Sequence, residues 1–331
     1  MGEGLTDRIG DLLKEKVSAD EFSGCVLVAR DETSIFRQAY GLANQRYGIP
    51  NRVDTKYNLG SCTKVFTKVA IMQLAENGAL SLEDRVSRHL PGYPSGVADR
   101  VTISHLLNHS SGMGNFWNDR FEASKSRLRT VDDFVGLFAG DPLSFEPGSR
   151  VQYSNAGYVL LGKIVEVVSG RDYYDYVREH IYGPAGMENS DHYESDLPVP
   201  NLAVGYTRMD EQGHKRGGPR RSNLLMLGVK GSPAGGGYST VDDMLRFCGA
   251  LRGNRLTSKE YTQHVYSSPV PGQDKGTKLQ GFGMSGGAPG IGATFKMYFD
   301  TGYTKVVLSN YDPEAMESVS KRIEEILSSG H

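Results

Sequence analysis

The sequence predicts an α/β protein in which a mainly helical segment interrupts a strand-bearing body. Runs typical of β-strands occur near both ends of the chain, at residues 24–30, 35–40, 293–299 and 305–310. From about residue 80 to residue 200 the apolar residues instead recur at helical spacing. Because strands from both ends must share one sheet, we assign residues 1–78 and 223–331 to an α/β domain that carries the sheet. Residues 79–222 are assigned to an inserted, mainly helical domain.

The composition of the 331-residue chain excludes several classes of protein. Hydrophobic residues make up 38% and charged residues 23%, as in ordinary globular proteins. A net charge of −2 gives no general attraction to nucleic acid, and no apolar run reaches the roughly 18 residues of a membrane-inserted helix. Three scattered cysteines indicate neither a disulfide framework nor a thiolate metal site. No leader is visible, which predicts a cytoplasmic protein, or an exported one whose leader has been removed.

The first elements follow from apolar spacing and turn residues. Residues 5–18 have the pattern of an amphipathic helix, and Gly24 to Arg30 has that of a strand. Asp31-Glu32 then turns the chain into a second strand, so a hairpin is predicted. A buried helix is predicted for residues 65–74, ending at Asn77-Gly78.

A serine and a lysine stand at the start of that buried helix. Ser61 and Lys64 are three residues apart, so their side chains lie about one turn apart on one face. A serine nucleophile needs a nearby amine to accept its proton, and a helix N-terminus favours the negative charge that develops. We therefore interpret Ser61 as a candidate nucleophile and Lys64 as its amine. Cys62, between them, is interpreted as a buried structural residue.

The middle of the chain is predicted to contain several helices, at residues 102–107, 131–138, 157–168 and 173–181. His105 and His109 have the spacing of a zinc pair, but no glutamate lies between them and no third ligand is evident. A structural pair is therefore favoured, and no metal is predicted. The loop 112–117 contains the only tryptophan, Trp117, and is either an aromatic lid over a site or a packed loop.

The C-terminal part returns to strands. Ser239 or Thr240 is expected to cap a helix that begins at Val241. The strands at 293–299 and 305–310 flank the turn residues Thr301-Gly302 and form a hairpin, and a terminal helix begins at Pro313. A basic patch in the glycine-rich region before Val241 is interpreted as solvated surface rather than a nucleic-acid site; it consists of Lys215, Arg216, Arg220 and Arg221.

Two further segments supply groups that acyl-transfer chemistry needs. Tyr153-Ser154-Asn155 offers a phenol and an amide in a loop before a helix. The glycine-rich run 283–287 (GMSGG) offers bare backbone amides at a strand edge, where a carbonyl oxygen can be held. Tyr153 can act as a base only if a cationic neighbour lowers its pKa, and Lys64 is expected to do so.

Together these motifs resemble those of the serine β-lactamase and penicillin-binding protein superfamily. The Tyr-x-Asn segment is similar to that of class C β-lactamases, family VIII carboxylesterases and D-amino-acid peptidases. The resemblance covers roughly residues 20–312. It includes the segments HLLNHSSG (105–112), EPG (146–148), PAGM (184–187), PAGGGYST (233–240) and LSN (308–310). It implies an antiparallel sheet flanked by helices, with an inserted mainly helical domain and a site between the two.

The resemblance also implies roles for individual residues. Ser61 would be the acylated nucleophile, with Lys64 as its proton acceptor or as the group that tunes Tyr153. Tyr153 would serve as general base and then as general acid. Asn155 would hold the substrate, and the backbone amides of Ser61 and Gly287 would form the oxyanion hole.

One position departs from the family pattern. Met284-Ser285-Gly286 stands where the family commonly has Lys-Thr-Gly or His-x-Gly, so the cation that the family associates with a substrate carboxylate is absent. We therefore expect a neutral ester rather than a penicillin. Met284, Ser285, Gly286 and Gly287 are taken as substrate-binding candidates, together with Trp117.

The sequence thus predicts a serine hydrolase that works through an acyl-enzyme without cofactor, most simply a carboxylesterase on small to medium acyl esters. One alternative keeps the same catalytic residues for a β-lactamase or D-amino-acid peptidase. The other alternative is a non-catalytic binding protein that has kept the fold. The expected partner is a small ester or amide, and the sequence leaves the oligomeric state open.

Overall fold

A five-stranded antiparallel sheet forms the centre of the structure, which is a computed structural model describing residues 3–210, 213–267 and 280–329. Its strands are β1 (Gly24–Arg30), β2 (Thr33–Tyr40), β3 (Gly281–Ala288), β4 (Ile291–Tyr298) and β5 (Tyr303–Ser309). Their order across the sheet is β2-β1-β5-β4-β3. Strands from the two ends of the chain therefore lie side by side, as predicted, and β3 occupies one edge.

Tight turns join the neighbouring strands of this sheet. Asp31 and Glu32 have φ values of 49° and 66°, the left-handed backbone that a two-residue hairpin between twisted strands requires. Gly302 has a φ of 74° at the turn between β4 and β5. The two hairpins predicted from turn residues are thus present, and a third joins β3 to β4.

Helices cover both faces of the sheet because side chains along each strand alternate between them. In β1, Val26 and Val28 pack in one apolar cluster with the helices α1 (Glu3–Ser18) and α13 (Pro313–Ser328). Cys25 and Leu27 point the other way, into a larger cluster that includes α2 (Lys64–Glu76) and α11 (Val241–Arg252). The helix α2 is buried on nearly all sides, as its continuous apolar sequence predicts.

The segment between α2 and α11 is mainly helical. Its helices are α3 (Val86–His89), α4 (Ser95–Ala98), α5 (Ile103–Leu107), α6 (Asp119–Ser124), α7 (Val131–Val135), α8 (Asn155–Ser169), α9 (Tyr173–Val177) and α10 (Gly183–Ala185). A π-helical turn, Arg178–Tyr182, joins α9 to α10. Another helix, α12 (Lys259–Ser267), follows α11. The fold class is therefore confirmed, whereas the division into two domains stays a prediction.

Short backbone pairings connect the start of α2 to distant parts of the chain. Tyr57–Asn58 pairs with Tyr238–Ser239 in an antiparallel ladder. The Leu59 N–H donates to the Gly237 carbonyl at 2.8 Å, and the Gly237 N–H donates to Thr63 Oγ1 at 3.0 Å. The glycine-rich loop before Tyr238 is consequently held against the turn that carries Ser61. Within the described ranges, the helices are all too short or too polar to cross a membrane.

Candidate active site

Ser61 lies in a 3₁₀ turn, Gly60–Thr63, that leads directly into α2. Gly60 has a φ of 49°, a left-handed conformation that glycine adopts without steric cost. The turn is closed by hydrogen bonds from the Gly60 N–H to Asn58 Oδ1 at 2.9 Å and from the Cys62 N–H to the Leu59 carbonyl at 3.0 Å. The Ser61 side chain is partly exposed, so it can meet a substrate at the N-terminal end of a buried helix.

Lys64 is fully buried and lies within hydrogen-bonding distance of three oxygens. Its Nζ is 3.2 Å from Ser61 Oγ and 2.6 Å from Asn155 Oδ1, and it also contacts the Ala234 carbonyl. Burial holds the pKa of Lys64 well below its usual range. A neutral amine has two N–H groups and one lone pair. The carbonyl oxygens of Asn155 and Ala234 can only accept, so the lone pair is left for the Ser61 hydroxyl.

Tyr153 contacts the same hydroxyl from another direction. Its OH donates a hydrogen bond of 2.6 Å to Ser61 Oγ. Burial raises the pKa of Tyr153 to about 12, although the hydrogen bond with Ser61 acts in the opposite direction. Our expectation that Lys64 lowers this pKa is therefore wrong, because desolvation outweighs any effect of the amine, which lies 4.8 Å from the ring centroid. In the free protein Tyr153 is a proton donor.

Asn155 is the first residue of α8, and the preceding residue fixes where that helix begins. Ser154 Oγ accepts from the Gly157 N–H at 2.9 Å and donates to the Gly114 carbonyl at 2.9 Å. The Asn155 side chain then joins two segments, because its Oδ1 accepts from Lys64 and its Nδ2 donates to Asn115 Oδ1 at 3.1 Å. Asn115 and the Ala234 carbonyl were not recognised from the sequence, which contains no local signal for either contact.

The glycine-rich strand β3 lies directly against the Ser61 turn. A Cβ atom added to Gly286 would come within 2.5 Å of the Ser61 backbone nitrogen, and one added to Gly60 would lie 3.0 Å from the Gly287 nitrogen. Only glycine permits so close an approach of two backbones. The backbone of Gly286 and Gly287 therefore packs directly against that of Gly60 and Ser61, and an oxyanion hole at the Ser61 and Gly287 amides stays a prediction.

Met284 and Ser285 do not line the cavity beside Ser61, which corrects their interpretation as substrate contacts. Met284 is only 2% exposed and packs in the large apolar cluster. Ser285 points to the opposite, exposed face of the edge strand, and its Oγ donates to Thr294 Oγ1 at 3.0 Å. The alternation of side chains along a strand causes both results. Residue 284 is therefore not a position at which a cation would face a substrate.

A cavity of about 610 Å³ opens at Ser61 and is lined by most of the remaining candidates, but not by Lys64 or Gly286. Tyr153, Asn155 and Gly287 line its inner end, and Trp117, which is 52% exposed, lies in its wall. Apolar side chains line much of the rest: Phe116, Phe121, Phe134, Met226, Leu227, Val229 and Ile291. The loop that contains Trp117 is packed, because Phe116 is buried and the Gly112 carbonyl accepts from the Ser144 N–H at 2.8 Å.

His105 and His109 make separate hydrogen bonds instead of sharing a ligand. His105 Nδ1 accepts from the Thr102 N–H at 3.2 Å and completes a capping box at the start of α5. His109 Nδ1 accepts from the Ser154 N–H at 3.2 Å. Within the described parts of the chain, no group of three or more histidine, cysteine or acidic side chains is arranged to hold a metal ion.

Comparison with known proteins shows the family of the chain. The sequence model of the Beta-lactamase family matches residues 11–328. The chain is 32% identical to penicillin-binding protein 4* of Bacillus subtilis (strain 168), covering 93% of this chain and 72% of that protein. It is 33% identical to esterase EstB of Burkholderia gladioli, covering 76% of this chain and 71% of the esterase.

A solved structure gives the same result over nearly the whole chain. The crystal structure of a penicillin-binding protein from Bacillus halodurans matches with a TM-score of 0.83 at 31% identity. The match covers 94% of this chain and 99% of that one. The chain therefore belongs to the Beta-lactamase family of serine hydrolases and penicillin-binding proteins.

Proposed function

We propose that this protein is a carboxylesterase that cleaves small to medium acyl esters through an acyl-enzyme on Ser61. Lys64 and Tyr153 would move the protons, and Asn155 would orient Lys64 and hold the substrate. The reaction needs a nucleophile, a base, an acid and an oxyanion site. Each has a candidate group within the cavity or directly behind it.

Acylation follows from the protonation states of the two neighbours of Ser61. Neutral Lys64 accepts the Ser61 proton at 3.2 Å while Oγ attacks the ester carbonyl. The Tyr153 hydroxyl, which is kept protonated by burial, then donates its proton to the departing alkoxide oxygen. The ammonium of Lys64 returns a proton to the phenolate, so the pair ends as it began and the alcohol leaves neutral.

The oxyanion would be held by backbone N–H groups of Ser61 and Gly287, and the close packing of β3 on the Ser61 turn supports this assignment. Deacylation runs the same path with water in the position of the alcohol. Tyr153 takes the water proton as its own proton passes to Lys64, and Lys64 then returns that proton to Ser61 Oγ when the carboxylic acid is released.

The choice of a neutral ester is carried by the described residues that line the cavity, which offer no unpaired cation. Among the described residues that line the cavity, Lys230 is the only lysine or arginine. It is paired with Glu194 at 3.2 Å and lies 4.1 Å above the Tyr174 ring. Lys64, just behind the wall, is already directed at three oxygens. A penicillin carboxylate would therefore find no available cationic partner among the described residues around the cavity, whereas the apolar wall suits an acyl chain.

Two alternatives remain for the test to separate. A β-lactamase or D-amino-acid peptidase would use the same catalytic residues, and the similarity to two penicillin-binding proteins supports that possibility. A non-catalytic binding protein would have no need for a lysine held neutral beside a serine hydroxyl, and Lys64 therefore argues against it.

A fluorophosphonate probe tests the enzyme hypothesis, and matched substrates test the specificity. Ser61→Ala is expected to abolish labelling and nitrophenyl butyrate hydrolysis while leaving the melting temperature nearly unchanged. Ser195→Ala, at another serine that lines the cavity, serves as the control and should keep both activities. Esterase turnover that persists in folded Ser61→Ala would refute the assignment. A higher kcat/KM for nitrocefin than for nitrophenyl butyrate would favour the β-lactam alternative.

A further inference from the structure

His109 lies directly behind Tyr153, at the end of α5. The residue is completely buried. Its φ of 55° lies in the left-handed region, which costs free energy for any residue with a Cβ atom. Its Nε2 is also one of the buried polar atoms that have no hydrogen-bond partner among the described residues. The left-handed backbone and the unpaired buried Nε2 both cost free energy, and both occur next to the candidate proton donor Tyr153. This combination calls for a functional explanation.

The hydrogen bonds of His109 hold the backbone on both sides of Tyr153. Its Nδ1 accepts from the Ser154 N–H at 3.2 Å, and its carbonyl accepts from the Gln152 N–H at 2.8 Å. The ring stacks on the Tyr153 ring with centroids 4.6 Å apart and an interplanar angle of 27°. Tyr153 is thus held through its two neighbours and through its own ring.

The protonation state of His109 suits this arrangement. Burial lowers the pKa of His109 to about 3, and the nearby Lys64 and Lys68 act in the same direction. The ring is therefore neutral, and because Nδ1 accepts a hydrogen bond, the proton is on Nε2. A phenylalanine would fill the same space without leaving a buried polar atom unpaired, but it could not accept from Ser154.

We propose that His109 is a positioning residue that orients Tyr153 for proton donation during catalysis and shields its ring from water. This inference rests on the proposed function of Ser61 and Tyr153. His109 contacts no reacting atom; it acts only through the residue that does. The competing explanation is that His109 merely fills the core between α5 and α8.

Shielding predicts a change in the pH dependence of catalysis. The ionisable groups that face Tyr153 are Cys62 in the Ser61 turn, Lys64 at the start of α2, Tyr158 on α8 and His109 itself. Removing the His109 ring should admit water and bring the pKa of Tyr153 from about 12 back toward its ordinary value of 10.0. The loss of kcat on the alkaline side should then begin at a lower pH.

Two substitutions separate the contribution of the His109 hydrogen bond to Ser154 from that of the His109 ring. His109→Asn keeps a side-chain acceptor and tolerates the left-handed backbone, but it removes the ring. His109→Phe keeps the ring and removes the acceptor. Since a displacement of about 1 Å can cost about a hundredfold, we expect kcat for nitrophenyl butyrate to fall about tenfold to a hundredfold in both, with KM nearly unchanged. Only His109→Asn, which removes the ring, should shift the alkaline limb of the kcat–pH profile to lower pH.

His192→Asn provides a matched control. His192 is also buried, and it packs against Tyr173 and Tyr174 instead of Tyr153. Its substitution should lower the melting temperature and leave kcat per active site within about threefold of wild type. The proposal is overturned if His109→Asn, corrected for probe-titrated active sites, keeps kcat within that range and its alkaline limb unshifted. It is also overturned if His109→Asn costs as much in a Tyr153→Phe background as in the wild type.

If neither His109 variant folds, NMR of the His109 ring tests its coupling to Tyr153 from the other side. In histidine-labelled wild-type protein, an imidazole with unprotonated Nδ1 should persist from pH 5 to 9, and its NMR signals should shift in Tyr153→Leu. An imidazole spectrum unaffected by Tyr153→Leu would overturn the coupling. If only the proposed role of His109 is wrong, the fluorophosphonate probe still labels Ser61. If Ser61 is not a nucleophile, the probe does not label it, so the two outcomes are distinguishable.

Discussion

Gly286→Ala is the sharpest test of how β3 positions the backbone at Ser61. The added methyl group would lie 2.5 Å from the Ser61 nitrogen and 2.8 Å from the Cys62 nitrogen, whereas ordinary contacts begin near 3.4 Å. The neighbouring atoms are backbone and cannot rotate away, so β3 and the Ser61 turn must separate by about 1 Å. That displacement would move the Gly287 N–H out of reach of an oxyanion held by Ser61.

The expected loss follows from that geometry. Losing one oxyanion donor costs about 2.7–4 kcal/mol in the transition state, or about a hundredfold to a thousandfold in kcat. The assay is nitrophenyl butyrate hydrolysis per probe-titrated active site, with melting temperature as a check on folding. Gly283→Ala is the matched control, because its methyl would press on the backbone of β4 at Lys296 instead of on the Ser61 turn. A folded Gly286→Ala protein with kcat within about threefold of Gly283→Ala would refute the reasoning.

Three other predictions follow from the site. Lys64→Met and Tyr153→Phe interrupt one proton path, so the double variant should lose little more kcat than the worse single variant; fully additive losses would show independent roles. Because burial lowers the pKa of Lys64 and raises that of Tyr153 to about 12, kcat should be lost as pH falls through the Lys64 pKa and stay level to about pH 11. A decline centred near pH 10 would contradict this. Met284→Lys should lower the free energy of unfolding by about 3–5 kcal/mol through an unpaired buried charge, whereas Ser285→Lys should cost about 1 kcal/mol. A stable Met284→Lys protein with an increased nitrocefin-to-ester ratio would show that this position faces the substrate.

Met284 shows one limit of prediction from the sequence, which identified the position but not the direction of its side chain. A motif comparison identified the position, but the direction of its side chain depends on which face of β3 meets the core. An edge strand beside a buried helix places alternate residues inward, and Met284 is one of them. The specificity argument therefore moves from Met284 to two described lysines near the cavity. Lys230 is paired with Glu194, and Lys64 contacts Ser61, Asn155 and the Ala234 carbonyl.

The protonation states of Lys64 and Tyr153, the two neighbours of Ser61, show a second limit of prediction from the sequence. The sequence brings a phenol and an amine together as candidates, and it suggests that the amine lowers the phenol's pKa. Desolvation acts on each group separately, however, and its size depends on the whole surrounding core. In the structure burial lowers the pKa of Lys64 and raises that of Tyr153, which favours Lys64 as the proton acceptor and leaves Tyr153 protonated instead of acting first as a base.

The features that the sequence determines by itself are local elements of structure. Ser61 and Lys64 share a helix face because they are three residues apart, and the hairpins form because turn residues lie between alternating strands. The motif resemblance led us to expect Tyr153 beside Ser61 and Lys64, although Tyr153 is 92 residues from Ser61. Only the tertiary structure shows the contacts themselves and adds the Ala234 carbonyl, which is 170 residues from Lys64. Those contacts, and the burial that sets the protonation of Lys64 and Tyr153, arise when α8, the glycine-rich loop and β3 pack around one helix end. No short stretch of sequence encodes the environment that several remote segments create together.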